Sequence, residues 1–316
     1  MEKLIVSSSP HIHTKITTQS IMRDVIIALA PASIAGVVFF GLKALVTLLV
    51  CVATSVLSEF IFNIVTKNKQ TIGDLSAVVT GLILGLSIPA KSGIWPCIVG
   101  SVFAIIVVKC LFGGIGCNFA NPAVTARVML LIAFSGTVAG GSATNFVDIA
   151  ASATPLDIIK QNTGAELPSL LDMLIGNRAG AIGETCAIAL ILGGVYLVVR
   201  KVISWHTPVI YIGTVFVLSL IIKQDLTAAL YQTLGGGLII GAIFMATDYV
   251  TTPINKLGKM IFALGCGILT VVIRFWGSYP EGVSFAILIM NILSPYIEKL
   301  CTKTPFGKAG AKNENK

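Results

Sequence analysis

Ten apolar stretches follow one another along the chain, near residues 23–41, 44–65, 75–90, 94–112, 120–138, 182–199, 206–222, 228–246, 257–275 and 282–300. A helix needs about 20 mostly apolar residues to cross the hydrocarbon of a bilayer, and backbone groups there must be satisfied internally. Ten such runs in 316 residues leave room only for short connections. The charge supply agrees. Only 11% of residues are charged, against about 25% in an average soluble domain. A soluble enzyme, a disordered chain and a secreted disulfide scaffold are therefore excluded. The expected fold class is an all-α polytopic membrane protein of about ten transmembrane helices. The run at 75–90 is short, with Gly81 and Gly85 ahead of Pro89, which predicts a tilted or broken helix inside the protein.

The positive charges supply a direction. With the N-terminus inside, the inner segments hold sixteen Lys and Arg: Lys3, Lys15, Arg23, Lys67, Lys69, Lys109, Arg127, Arg200, Lys201, Lys256, Lys259 and the five lysines from Lys299 onward. The outer segments hold six: Lys43, Lys91, Lys160, Arg178, Lys223 and Arg274. This bias predicts both termini in the cytoplasm. It also explains the net charge of +8 without nucleic acid, as loops facing an anionic inner leaflet. No cleavable leader is expected in the polar first 20 residues, where His11 and His13 are weak as a metal pair. The expected organisation is a cytoplasmic tail at 1–20, a first transmembrane half at 21–138, an outward loop at 139–181, a second half at 182–300 and a basic cytoplasmic tail at 301–316. The loop carries Asp148, Asp157, Glu166 and Asp172, four of the 14 acids, and a connection of that length is usually functional.

Two motifs recur in order. Residues 72–77 (IGDLSA) are echoed at 182–187 (IGETCA), and 120–125 (ANPAVT) at 246–251 (ATDYVT). The first pair maps span three onto span six, an odd offset, so a duplication would make the halves inverted repeats. Short Gly/Ala/Thr strings also recur by chance in apolar sequence. The seven cysteines form no CxxC pair, and most sit in apolar runs as small packing residues. Trp95, His206 beside Trp205, and Trp276 read as interfacial anchors.

Residues 113–127, GGIGCNFANPAVTAR, combine a glycine-rich approach with the amides of Asn118 and Asn121, Pro122 at a first helical position and Arg127 about a turn and a half later. That grouping suits a polar heterocycle or an anion, or simply a turn with Asn121 as helix cap. Residues 148–156, DIAASATPL, read as a polar turn in which Pro155 disfavours helix at Thr154. Among acids at membrane level, Glu59, Asp74, Glu184 and Asp248 are candidates for an ion path. Asp74 and Glu184 could equally cap their helices, Glu59 could pair with a lysine near a span end, and Asp248 could bind a cation, a ligand hydroxyl or its own backbone. Asp24 and Glu281 lie beside spans as well.

Across residues 20–305 the chain resembles the family of D subunits of the Rnf ion-translocating electron transport complexes. It is more distantly similar to the B subunit of the sodium-pumping NADH:quinone reductase. The resemblance rests on GDLSAVVTGLILGLSIPA at 73–90, GGIGCNFANPAVTAR at 113–127, SATPL at 152–156, GETCAIALILGG at 183–194 and MATDYVTTP at 245–253. It implies a membrane fold similar to that of urea transporters. It implies FMN attached by a phosphoester to the hydroxyl of Thr154 within an S-x-A-T-type motif. A tether at the phosphate leaves the isoalloxazine free for redox work. Ser152 and Ala153 precede the threonine, where the family often has Gly before the Ala, and Asp148 matches the acid that the flavin transferase recognises. Asn118 and Asn121 match positions associated with a second, non-covalent flavin, riboflavin, and Arg127 is a further candidate there.

The resemblance also implies partners: the covalent-FMN G subunit, the membrane A and E subunits and the cytoplasmic B and C subunits of the complex, in a prokaryotic plasma membrane, with Na+ or H+ moved. The chain carries no ferredoxin or NAD site of its own, so an oxidoreductase activity would belong to the whole complex. A channel or transporter for a small polar solute is the alternative reading of the glycine-rich, interrupted helices. A purely structural membrane subunit is the third. Flavin on Thr154 separates the first reading from both.

Overall fold

The computed structural model describes residues 16–139, 141–142, 144, 154–161 and 167–301. Those residues are helical, with no β-strand among them. Helix α1 (Thr18–Phe40) starts at a capping box, with Thr17 accepting from the Ser20 amide and Ser20 answering to the Thr17 amide. Gly41, at φ 68°, turns the chain into α2 (Leu42–Val65). A 3-10 turn at Ile72–Asp74 leads to α3 (Ser76–Ser87). Helix α4 runs from Ile94 and continues in π register to Cys110. Helices α5 (Pro122–Ala133) and α6 (Ser135–Val138) complete the first part.

The predicted outward loop is not featureless. It contains α7 (Pro155–Gln161) and α8 (Leu170–Ile175), and an antiparallel bridge joins Ser142 to Gly180. Pro155 supplies the fixed φ of a first helical residue, and the Ser169 side chain caps α8. The second part comprises α9 (Ala187–Val199), α10 (His206–Lys223), α11 (Leu226–Leu234), α12 (Leu238–Ile240, continuing in π register to Met245), α13 (Lys256–Trp276) and α14 (Val283–Cys301).

Every predicted apolar run contains a helix, but the runs differ in reach. Among the described residues, five helices are individually long and apolar enough to cross a membrane: α1, α2, α10, α13 and α14. Helices α11 and α12 qualify only as a pair, bent by 61° at Gly235–Gly237. The others are shorter; at 1.5 Å per residue, the 12 residues of α3 and of α5 each reach about 18 Å. The run at 120–138 breaks at Phe134, whose φ of −124° and ψ of 40° leave the helical region.

The short helices are interior. Helix α3 is buried along nearly its whole length. Its C-terminal carbonyls meet the turn before α9, where Gly183 N donates to Leu86 O at 2.6 Å and Ile182 N to Ile88 O at 3.4 Å. Gly183 permits this approach, since a Cβ there would stand 2.7 Å from Leu86 Cβ. Around this junction lies a core that includes Leu29, Leu84, Ile182, Leu190 and Ile240. Large apolar side chains such as Leu42, Val65, Ile132, Val199 and Leu300 stay exposed on the outer helix faces. So broad an apolar exterior calls for hydrocarbon as its solvent.

The two echoed motifs behave differently. IGDLSA and IGETCA both form turns that open helices, α3 and α9. The two helices run in opposite directions: α3 starts beside the first turns of α1, whereas α9 ends there, with Arg200 paired to Asp24 at 3.1 Å. ANPAVT opens helix α5, whereas ATDYVT is a run of turns after the π segment, so that pair shares no local structure.

Candidate functional site

Two cavities lie along α5, one at its start and one further up. The first, about 810 Å³ including its open mouth, is walled by apolar residues such as Val79, Ile83, Leu197 and Phe244. Its polar groups include Thr80, Lys109, Asn118, Asn121, Thr247 and Asp248. Asn121 is the N-cap of α5: its Oδ1 accepts from the amides of Ala123 (3.0 Å) and Val124 (3.3 Å), ahead of Pro122 at the first helical position. The cap leaves the amide nitrogen free to turn across the cavity, where it donates to Asp248 Oδ2 at 3.4 Å. Asp248 itself accepts from the Val250 amide and the Thr251 hydroxyl, so the MATDYVTTP break is held by its own acid. Asn118 Oδ1 is buried with no hydrogen-bond partner among the described residues.

Glu59 and Asp74 join this cavity through a chain of bonds. Lys109 Nζ donates to both oxygens of Glu59 at 2.9 Å and to Ser76 Oγ at 2.5 Å, and Ser76 Oγ donates to Asp74 Oδ1 at 2.6 Å. Thr71 adds a bond to Glu59 Oε1 at 2.5 Å. The Glu59 and Lys109 side chains are only 1% and 3% exposed. Lys109, counted from sequence as an inner-loop charge, is instead a buried partner on the cavity wall. Its position between Val108 and Cys110 in an apolar run was the available signal.

The second cavity, about 400 Å³, is lined by Thr154 and Asp157 of the α7 cap, Arg127, Ala139, Tyr279 and Glu281 among others. Thr154 caps α7 in reciprocal fashion. Its hydroxyl donates to Asp157 Oδ2 at 2.6 Å and accepts from the Asp157 amide at 3.2 Å. Thr154 is 4% exposed. Lys160 pins α7 to the turn after α13 by donating to the carbonyls of Gly277 and Tyr279. Loss of solvent around it pulls the Lys160 ammonium below its ordinary value, against the opposing pull of Asp157.

Arg127 departs from the sequence reading. It does not line the Asn118 and Asn121 cavity. Its Nη2 reaches Glu184 Oε1 at 2.8 Å and also Glu281, from the turn between α13 and α14. Six residues along a helix is about 9 Å of rise and 240° of rotation, which carries Arg127 past the first cavity and onto another face. Glu184, an ion-path candidate from sequence, is thus the buried partner of Arg127. Burial and the neighbouring Glu184 push the Glu281 carboxyl up to about 7. Arg178 donates to the carbonyls of Glu184 and Leu234, and Arg274 to those of Gln232 and Gly235. Asp148, Ser152 and Ala153 lie outside the described residues. His206 stacks on Trp205 with ring centroids 4.1 Å apart, and the Trp95 and Trp276 rings are exposed.

Interrupted helices around buried ion pairs, inside an apolar exterior, define a multi-pass helical membrane protein with polar sites inside its bundle. Comparison with known proteins places it further: the chain belongs to the NQR2, RnfD, RnfE family, whose model matches residues 5–307. It is 43% identical, over 99% of its length and 98% of the relative's, to the D subunit of the Na(+)-translocating ferredoxin:NAD(+) oxidoreductase complex of Acetobacterium woodii. It is 38% identical to the D subunit of the proton-translocating ferredoxin:NAD(+) oxidoreductase complex of Clostridium ljungdahlii, over 96% of each chain. The D subunit of the ion-translocating oxidoreductase complex of Stutzerimonas stutzeri is 34% identical over 91% of this chain and 92% of that one.

Proposed function

We propose that this chain is the membrane flavoprotein subunit of an ion-translocating ferredoxin:NAD oxidoreductase (Rnf) complex. In this reading it relays electrons through FMN held covalently on Thr154 and through riboflavin in the Asn118 cavity. The end-to-end similarity to D subunits of such complexes carries the reading. The two relatives differ in the ion that their names give, so the coupled ion is Na+ or H+. The partners are the G subunit with its own covalent FMN, the membrane A and E subunits, the cytoplasmic B and C subunits and a flavin transferase.

The residues present fit both flavins. The first cavity has apolar walls and a buried, unpartnered carbonyl oxygen on Asn118, with Asn121 opposite Asp248. That combination suits a flat, neutral heterocycle with polar edges. Asn118, Asn121 and Thr80 would hold it, beside the Lys109–Glu59 ion pair. At the second cavity Thr154 provides the hydroxyl, and Arg127 lines the same space. Flavin supplies reversible electron transfer, and the protein sets its position and electrostatics.

The positive-charge bias supports ten spans with both termini in the cytoplasm. Lys109, Arg127, Arg178 and Arg274 are buried and drop out of the loop count. Fourteen basic residues against four remain, and the direction is unchanged. The Thr154 cavity then lies toward the outer side and the Asn118 cavity toward the cytoplasm, so the two flavins would lie at different depths.

The test is a mass measurement. The chain co-expressed with its flavin transferase gains the mass of one FMN residue and fluoresces in a denaturing gel, and Thr154→Ala loses both. An unlabelled wild-type chain in that experiment overturns the reading and favours a solute channel or a purely structural subunit.

A further inference from the structure

Three buried guanidinium groups meet one buried and one partly exposed carboxylate beside the Thr154 cavity: Arg127, Arg178 and Arg274 with Glu184 and with Glu281, whose side chain is 19% exposed. Their proximity is direct. Arg127 bonds both acids, Arg178 holds the Glu184 carbonyl, and a Cβ on Gly236 would stand 3.2 Å from Arg274 Nη2 and 3.5 Å from Glu281 Cγ. Asp157 and Lys160, one charge of each sign on α7, leave the balance unaltered. Among the described residues the cluster therefore carries one excess positive charge with Glu281 ionised, and two with Glu281 protonated. An uncompensated charge away from water is costly, so such a cluster calls for an anion. Arg178 and Arg274 are spent on backbone carbonyls. All three have a buried Nε with no partner among the described residues, but of the three only Arg127 lines the Thr154 cavity.

We propose that the cavity beneath Thr154 is an anion site matched to a singly charged phosphodiester, with Arg127 as its counter-ion and Glu281 as the carboxylate that shares Arg127 when the site is empty. The inference rests on the reading of Thr154 as the attachment residue. It adds the group that fixes the flavin phosphate once attached. A phosphodiester carries one negative charge near neutral pH, which offsets the excess that the cluster carries with Glu281 ionised. Planar guanidinium suits phosphate oxygens better than ammonium does. Glu281 opposes an anion while ionised, and its removal strengthens the site.

The experiment compares the full chain, co-expressed with its flavin transferase, as wild type, Glu281→Gln and the double variant Arg127→Gln/Glu281→Gln, which keeps the net charge. Readouts are intact mass, the 31P resonance of the phosphodiester and the fluorescence anisotropy of the flavin. The double variant is expected to carry the label while its resonance moves to that of a solvent-exposed phosphodiester and its anisotropy falls. Glu281→Gln is expected to shift the resonance the other way. A labelled double variant with wild-type resonance and anisotropy overturns the proposal. If the double variant does not fold, an unshifted resonance in Glu281→Gln overturns it instead. A folded but unlabelled double variant supports the site if Arg127→Lys/Glu281→Gln regains label, and counts against it otherwise. An unlabelled wild type is a different failure, that of the attachment itself, and removes the inference with it.

Discussion

Asn121 and Arg127 stand six residues apart on one helix and serve two different cavities. Asn121 caps the start of α5 and reaches Asp248 across the first. Arg127 lines the second, beside Thr154, and ties Glu184 to Glu281. One helix about 18 Å long thus sets the spacing between the two places where flavin is proposed to bind.

The cap and the cavity roles of Asn121 separate by substitution. Asn121→Ala is expected to cost about 1 kcal/mol of stability from the lost cap. Asn121→Ser keeps a capping oxygen and is expected to stay within a few tenths of a kcal/mol of wild type. Both lose the amide donor and are expected to retain less non-covalent flavin. Thermal unfolding in detergent, with flavin quantified after acid extraction, checks both. Wild-type flavin retention in Asn121→Ser would remove Asn121 from the riboflavin site.

Lys109 and Glu59 form an ion pair sealed from solvent, and breaking one side leaves a bare charge. Lys109→Met or Glu59→Gln alone is expected to destabilise by about 3–5 kcal/mol, while the double variant recovers most of that loss. A double-mutant cycle on reversible unfolding in mixed micelles gives the coupling. Additive losses would show that the pair is not coupled.

Stability should also fall with pH through one identifiable group. The folded-state pKa of Glu281 is raised to about 7, above its ordinary 4.5, so the native protein binds the proton more tightly. Its stabilising contribution is present below about pH 4.5 and lost as pH rises towards 7. The slope is at most about 1.4 kcal/mol per pH unit. Glu281→Gln is expected to flatten a plot of melting temperature against pH over that window. An unchanged slope in the variant would assign the effect to another group.

Helix contact between α1 and α9 depends on a missing side chain. A Cβ on Gly193 would fall inside the van der Waals surface of the Ala28 carbonyl oxygen, whereas a Cβ on Gly213 meets nothing within 4 Å. Gly193→Ala is expected to cost about 1–3 kcal/mol. Gly213→Ala, in the open middle of α10, is expected to be neutral or to stabilise by about 0.4–1 kcal/mol. Parallel unfolding curves check the contrast.

The helices are legible in the sequence because each is written as an apolar run, and burial in either lipid or protein demands the same residues. The interruptions are less legible. The bend at Gly235–Gly237 and the break at Phe134 depend on what packs beside them, which period and hydropathy do not record. The stretch at 139–181 reads as loop, although Thr154–Pro155 and Ser169 already spell two helix caps. The candidate site is legible as a set of residues but not as a set of neighbours. GGIGCNFANPAVTAR looks like one site when written on a line. Helical rotation sends its arginine elsewhere, to acids 57 and 154 residues away. Glu281 reads only as an acid beside a span, because nothing near it in the chain names Arg127 as its partner.

The junction between α3 and the turn before α9 has a consequence for biogenesis. The carbonyls of Leu86 and Ile88 are satisfied by amides of residues 182 and 183, which the ribosome delivers nearly a hundred residues later. A bare carbonyl in hydrocarbon is expensive, and α3 alone is too short to reach from one interface to the other. The nascent first half therefore has no finished resting place in the bilayer. The end of α3 can gain these partners only once Gly183 has been made.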